Sequence, residues 1–146
     1  MIKGIVNKIF TSLPPNYALM PVWVKVTKTY SDFSAAALTN NISIYTLPAK
    51  GYIHDVKIVP TTAFSGGTIG SYTLSVGIVG SLDKYAVATN VFTGNTTINT
   101  VHTPLVSPES LSATTDIRAA VTSTVGNLNA ATAGSVNIYI LVSLLP

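Results

Sequence analysis

Apolar and polar residues alternate along much of this chain, which predicts β-strands with one buried face. Successive side chains of a strand point to opposite sides of the sheet, so a period of two separates an apolar face from a polar one. Residues 135–146 and 72–79 follow this period most closely. Their apolar faces consist of Val136, Ile138, Ile140, Val142 and Leu144 in the first run and of Tyr72, Leu74, Val76 and Ile78 in the second.

A strand over residues 52–59 is also indicated, but apolar side chains fall on both of its faces. Strict alternation places His54 and Asp55 on opposite sides, so these two neighbours are not expected to share a ligand. A strand of this kind suits a sheet that is covered on both sides. One face carries Tyr52, His54, Val56 and Ile58, and the other carries Ile53, Asp55, Lys57 and Val59.

Shorter runs predict further strands over residues 22–30, 42–47, 97–101 and 113–123. In the first of these, three valines share a face opposite Trp23 and Lys25. Residues 60–71 are rich in turn formers, and the glycines there are expected to need positive φ. Weak helical character is expected over residues 81–92, and a short helical turn after Asp32 as its N-cap.

About eight strands with little helix predict an all-β protein, an antiparallel β-sandwich and most specifically a jelly roll. An immunoglobulin-like sandwich is the alternative, although the chain lacks the Cys-Trp-Cys pattern of that fold. Residues 1–21 contain Pro14, Pro15 and Pro21 and are predicted to be an N-terminal arm and proline-rich linker. Residues 22–146 are predicted to form a single β-sandwich domain.

The N-terminal arm carries apolar residues at helical spacing. Two interpretations remain open: a strand or short helix that closes one end of the sheet structure, or an arm that docks on a partner subunit. The second interpretation predicts a set of partner-binding residues in and just after the arm. These are Ile5, Ile9, Phe10, Tyr17 and Trp23.

Charged residues make up only 9% of the 146 residues, against about 25% in an average soluble domain. A surface of hydroxyls and amides offers little charge repulsion between molecules, which favours a protein packed against neighbours. The net charge of +3 comes from scattered basic residues, so no nucleic-acid partner is predicted. The sequence has no cysteine and no run of about 20 apolar residues that would span a membrane.

Residues that could perform catalysis or bind a metal are sparse. His54 and His102 are too few for a zinc site without cysteines, unless carboxylates complete it or symmetry brings copies of one histidine together. Gly66, Gly67 and Gly70 lack the Lys-Ser/Thr ending of a phosphate-binding loop, and no nucleophile elbow is present. Asp116 and Arg118 are expected to form a surface ion pair. We therefore predict no enzymatic activity, no cofactor and no metal site.

Three segments resemble small β-rich structural proteins of tailed bacteriophages. They are residues 52–58, the glycine-rich run 66–80, and Asp116-Ile-Arg-Ala followed by residues 127–136. The resemblance implies a virion component built on a jelly roll, commonly trimeric, and it carries no catalytic residues. Its expected localisation is the virion, and its expected partners are the major capsid protein or other virion proteins and further copies of itself.

Two functional hypotheses follow. The first is a capsid decoration (cement) protein that binds and stabilises the phage head lattice. The second is a receptor- or glycan-binding β-domain of a head fibre or tail tip. Trp23 is expected to be half-buried under a neighbouring loop or subunit in the first case, and to be a sugar-stacking platform in the second. The other aromatic candidates of the second hypothesis are Tyr30, Tyr45 and Tyr85.

Overall fold

Eight β-strands make up most of the chain that the structure describes. The computed structural model describes residues 20–92, 101–110 and 112–144, with the backbone alone for residues 101–110 and 144. These residues include two short 3-10 turns, Tyr30–Phe33 and Leu128–Ala130. No helix among the described residues is long and apolar enough to cross a membrane. The strands are β1 Val22–Thr29, β2 Thr39–Leu47, β3 Gly51–Ser65, β4 Ser71–Ile78, β5 Ser81–Asn90, β6 Val101–Ser110, β7 Thr115–Thr124 and β8 Ala133–Leu144.

The strands form two four-stranded sheets with the orders β1-β8-β3-β6 and β2-β7-β4-β5, and all neighbouring strands are antiparallel. Strands β4 and β5 are consecutive in the chain and pair with each other. Every other connection between consecutive described strands passes from one sheet to the other. Two four-stranded sheets connected in this way form a jelly roll. The predicted all-β sandwich and its jelly-roll topology are therefore confirmed.

Strand β8 lies between β1 and β3 and carries the apolar face that the sequence indicated most strongly. Ile138 lies opposite Val26 on one side and Ile58 on the other. Alternate positions of β8 point into the sandwich and are at most 1% exposed, so their burial fixes the register of three strands at once. These positions are Val136, Ile138, Ile140 and Val142.

Aromatic rings close one end of the core. The ring of Phe64 stacks on Tyr72 with 4.7 Å between centroids, and Phe33 lies 6.2 Å from Phe64. All three side chains are fully buried. Gly134, at φ 141°, passes so close that a Cβ atom would lie 2.5 Å from the Phe64 ring. The start of β8 therefore requires glycine at this position.

A β-bulge in β3 corrects the predicted arrangement of its faces. The register shifts between Ile53 and Asp55, so Ile53 and Val56 both point into the core although three positions separate them. A bulge places two residues opposite one on the partner strand. His54 and Asp55 consequently lie on the same outer side of the sheet, and the prediction that they occupy opposite faces was wrong.

Strand β3 also runs further than the turn-rich sequence suggested. It continues through Pro60, which lies opposite Val136, and ends at Ser65. Two further register shifts around Thr62 accommodate this irregular half of the strand. The turn itself is limited to residues 66–70, where Gly66 and Gly67 have φ of 135° and 54°. The expectation of positive φ is correct for Gly66 and Gly67 and wrong for Gly70.

Two predictions of helical structure were wrong, the first in kind and the second in the position of the N-cap. Residues 81–90 form strand β5, whose register against β4 shifts twice, so that Tyr85 and Ala86 are both buried and period-two alternation is lost. In the 3-10 turn Tyr30–Phe33, Thr29 is the N-cap. Asp32 is the third residue of a capping box instead, where its carboxylate accepts a hydrogen bond of 2.7 Å from the Thr29 amide.

Some predictions concern residues outside the described part of the chain. The arm at residues 1–19 and most of the strand at 97–101 belong to this group. The domain limits 1–21 and 22–146 therefore stay a prediction.

A strained valine provides a test of the backbone geometry. Val125 has φ of 68° and is 83% exposed. Positive φ costs a β-branched residue about 1–2 kcal/mol, and glycine adopts it freely. We expect Val125→Gly to raise the free energy of unfolding by about 1 kcal/mol in urea titrations. Val79→Gly, at a site 74% exposed with ordinary φ, serves as the control and should not stabilise. Equal effects of both variants would contradict the assigned strain.

The buried Tyr72 hydroxyl provides a second test. Its oxygen has no hydrogen-bond partner among the described residues, and an unsatisfied buried hydroxyl costs about 1–3 kcal/mol. We expect Tyr72→Phe to keep the fold and to stabilise it by about 1 kcal/mol. Tyr72→Leu, which loses the stacking on Phe64, should destabilise by about 2 kcal/mol.

Burial also raises the pKa of Tyr72 and that of Tyr45 above the ordinary value of 10.0. Above pH 10 the unfolded chain therefore loses these protons before the folded chain does. The free energy of unfolding should be constant with respect to both groups below pH 10 and should fall as the pH rises further. The fall should be shallower in Tyr72→Phe. An identical alkaline slope in both proteins would contradict this interpretation.

Candidate functional site

The outer side of the sheet β1-β8-β3-β6 carries large aromatic and basic side chains, and we call it the aromatic face. Its residues alternate with core residues along each strand, since Trp23 and Lys25 flank the buried Val24, and Tyr139 lies between two buried isoleucines. The described side chains that define the aromatic face are Trp23, Lys25, Tyr52, His54, Lys57, Val59 and Tyr139.

Trp23 and Tyr139 form the most prominent part of the aromatic face. Their rings meet edge to face, with 6.5 Å between centroids and an interplanar angle of 86°. Trp23 is 46% exposed, although its strand pairs with β8 without interruption from Val22 to Thr29. Together with Lys57 and Val59, the two rings line a depression of about 510 Å³. Rigid aromatic side chains beside a depression are typical of protein and ligand contacts.

The aromatic face is cationic. The strand register places Lys25, Tyr139 and Lys57 in one row across β1, β8 and β3. Neither lysine forms an ion pair with any described residue. Among the described side chains of this side, the one carboxylate, that of Asp55, is only 6% exposed and accepts a hydrogen bond of 2.8 Å from the Val56 amide. The described side chains therefore present two positive charges to solvent and shield the negative one.

His54 occupies one corner of the aromatic face. Its Nε2 atom lies 2.7 Å from Ser143 Oγ, and its ring stacks on Tyr52 with 6.1 Å between centroids. Ser143 is only 3% exposed. Its hydroxyl is therefore inaccessible to a substrate, and it is hydrogen-bonded to His54. Across the described residues, no three His, Cys, Asp or Glu side chains come together.

The outer side of the other sheet differs, because it carries a charged pair that is bonded within the chain. The Arg118 guanidinium donates to Asp116 Oδ2 at 2.7 Å, which confirms the predicted ion pair. It also donates to Asn41 Oδ1 at 2.6 Å. Asp116 in turn accepts a hydrogen bond from the Ser43 hydroxyl. This network therefore uses the Arg118 guanidinium and the Asp116 carboxylate within the chain.

The structure places one predicted partner-binding residue, Trp23, on the aromatic face. The other four, Ile5, Ile9, Phe10 and Tyr17, lie outside the described residues. Tyr139 was missed by the sequence analysis, although the alternation of β8 already directs it away from the core. Only the pairing of β1 with β8 shows that it adjoins Trp23.

Three other aromatic candidates for glycan binding are not available as exposed platforms. Tyr45 and Tyr85 are 3% and 1% exposed, so the prediction that they are binding residues was wrong. Register shifts in the β2–β7 and β4–β5 pairs accompany the burial of these two side chains. Tyr30 is partly buried against the same core.

Comparison with known proteins agrees with the fold at low sequence identity. No protein-family model matches this chain, and no curated protein matches it. A chain of the cyanophage Pam1 capsid asymmetric unit superposes with a TM-score of 0.62 and 18% identity, over 85% of this chain and 84% of that one. A chain of the acid-stable capsid of Helicobacter pylori bacteriophage KHP30 gives 0.51 and 14%, over 87% and 90%.

This chain therefore shares its fold with phage capsid chains of nearly its own length, since similar shares of both chains are covered. The expected likeness to β-rich virion proteins is confirmed at the level of the fold. A weaker likeness, with a TM-score of 0.44 and 10% identity, covers 85% of this chain and 32% of a chain from the infectious bursal disease virus VP2 subviral particle.

The chain's single tryptophan reports directly on the aromatic face. Because Trp23 is half-exposed beside two lysines, its fluorescence should be quenched by iodide more strongly than by caesium at low ionic strength. The difference should shrink in high salt, where the lysines are screened. Blue-shifted emission that neither ion quenches would show that Trp23 is covered in solution.

Proposed function

We propose that this chain is a non-enzymatic structural component of a phage virion and that it binds the head lattice as a decoration (cement) protein. The observation that carries the proposal is the jelly-roll fold of this chain, which superposes on two phage capsid chains of similar length. A fold alone does not specify a function. The surface of this chain supplies the second argument.

That surface suits a molecule with permanent neighbours. Only 9% of the residues are charged, and the described charged groups outside the aromatic face include the self-contained Arg118–Asp116 pair. The aromatic face, in contrast, exposes Trp23 and carries two lysines that form no ion pair with any described residue. Tryptophan and tyrosine dominate the energetics of protein interfaces when a partner desolvates them. We therefore assign lattice binding to the aromatic face.

The proposed mechanism is mechanical. A subunit that contacts two neighbouring capsid subunits adds buried area across their joint, with about 800 Å² on each partner in an interface of standard size. Binding to the assembled lattice and not to its separated subunits stabilises the lattice by mass action. A homotrimer would present three aromatic faces and gain avidity, and the N-terminal arm would extend each contact.

The alternative, a glycan- or receptor-binding domain of a fibre or tail tip, is favoured by one observation. Trp23 and Tyr139 flank a depression of about 510 Å³, and exposed aromatic rings beside a depression can stack on sugars. This alternative now depends on Trp23 and Tyr139, since Tyr45 and Tyr85 are buried.

Co-sedimentation of the purified full chain with empty phage heads that lack it tests the proposal. We expect the wild type to bind and to raise the temperature at which the heads break open. Trp23→Ala should weaken binding at least about tenfold, because an interface tryptophan typically contributes about 2 kcal/mol or more. Its melting curve should stay cooperative, since Trp23 is half-exposed.

Val87→Ala is the matched control, because Val87 is 56% exposed on β5 of the other sheet. It should bind like the wild type. Absence of wild-type binding to heads, together with glycan-array signal that Trp23→Ala abolishes, would replace the proposal by the glycan-binding alternative. Light scattering that shows a stable monomer at all concentrations would remove the trimer from the mechanism.

A further inference from the structure

We propose that the aromatic face recognises an acidic, extended segment of its partner protein, with Lys25 and Lys57 contacting the carboxylates and β1 pairing with the segment's backbone. This inference rests on the proposed function, because it names the chemistry of the lattice surface that the same face contacts. Three observations carry it: an excess of positive charge among the described side chains of the face, apolar side chains beside the lysines, and a strand edge with which no described strand pairs.

The charge of the aromatic face calls for negative groups on the partner. Lys25 and Lys57 lie two strands apart in one row, which separates their backbones by about 10 Å at the usual strand spacing. Neither is paired with a described residue, and Asp55 is nearly inaccessible. Two carboxylates spaced along one segment would complement this row, and complementary charge fixes orientation and accelerates association.

The neighbours of the lysines strengthen this contact. Trp23, Tyr139 and Val59 surround the depression that Lys57 lines. Once a segment covers these side chains, water is displaced and the attraction between ammonium and carboxylate groups grows as the local dielectric constant falls. The segment that fits best therefore places an apolar or aromatic side chain beside its carboxylates, so that the side chain fills the depression.

The edge of the sheet favours a polypeptide over other anions. Strand β1 is at the end of the order β1-β8-β3-β6, and no described strand pairs with its outer edge. Trp23 and Lys25 project from this same strand. An extended segment can add to such an edge through backbone hydrogen bonds while its side chains meet the adjacent face. An acidic saccharide can meet the lysines but has no peptide backbone for β1.

Charge reversal tests the inference. The double variant Lys25→Glu/Lys57→Glu should bind empty heads about tenfold or more weakly at low salt. Wild-type affinity should fall as the salt concentration rises, whereas the variant should be nearly insensitive to salt. The control Lys50→Glu/Lys84→Glu changes the net charge equally on exposed sites outside the aromatic face and should bind like the wild type. Equal loss in both variants, or in neither, would overturn the inference while leaving lattice binding intact.

A defined probe separates a failure of the inference from a failure of the proposed function. Hexaglutamate peptide and an oligogalacturonate with the same number of carboxylates are titrated into the full chain while the Trp23 indole and β1 amide NMR signals are followed. We expect the peptide to shift both sets of signals in the wild type and neither in Lys25→Glu/Lys57→Glu. Shifts with the saccharide alone would assign the face to acidic glycans, and no shift with either probe would reject acidic recognition, whatever the heads show.

Discussion

The pairing of β8 with both β1 and β3 is the interaction on which the rest of this structure depends. Its four inward side chains, Val136 to Val142 at alternate positions, are essentially inaccessible. A slip of one residue would move all of them to the outer side, so the register is strongly determined. That register also decides which outward residues become neighbours. The contact between Trp23 and Tyr139, and the row of Lys25, Tyr139 and Lys57, are direct consequences of it.

The two outer sides of the sandwich use their polar groups in opposite ways. On the sheet with β7, Arg118 is bonded to Asp116 and Asn41 within the chain. On the sheet with β8, Lys25 and Lys57 form no ion pair with a described residue and lie beside an exposed indole ring. A partner that covered the side with β7 would remove water from the Arg118 network and gain few new contacts with it. A partner that covered the side with β8 would contact aromatic surface and positive charge. This asymmetry is the physical basis for assigning binding to the aromatic face.

Local irregularities explain where sequence reasoning failed. The prediction that successive side chains point to opposite faces assumes a strand without bulges. Each bulge adds one residue, so the residues beyond it point to the faces opposite to those predicted. The bulge at His54 brings Ile53 and Val56 to the same side, and those in the β4–β5 pair bury Tyr85 beside Ala86. Such bulges depend on pairing with a strand distant in sequence, so a local pattern does not reveal them. Tyr45, which alternation directs outward, is buried for this reason.

The amino-acid sequence by itself determined the fold class, the strong apolar face of β8, the glycine turn after β3 and the ion pair of Asp116 with Arg118. These features depend on residues close together in the chain, where side-chain period and backbone freedom act directly. Only the tertiary structure decided which strands are neighbours, and therefore that Trp23 of β1, Tyr139 of β8 and Lys57 of β3 share one surface. Strand pairing joins residues more than a hundred positions apart, and the energy that selects it comes from burial of the whole core.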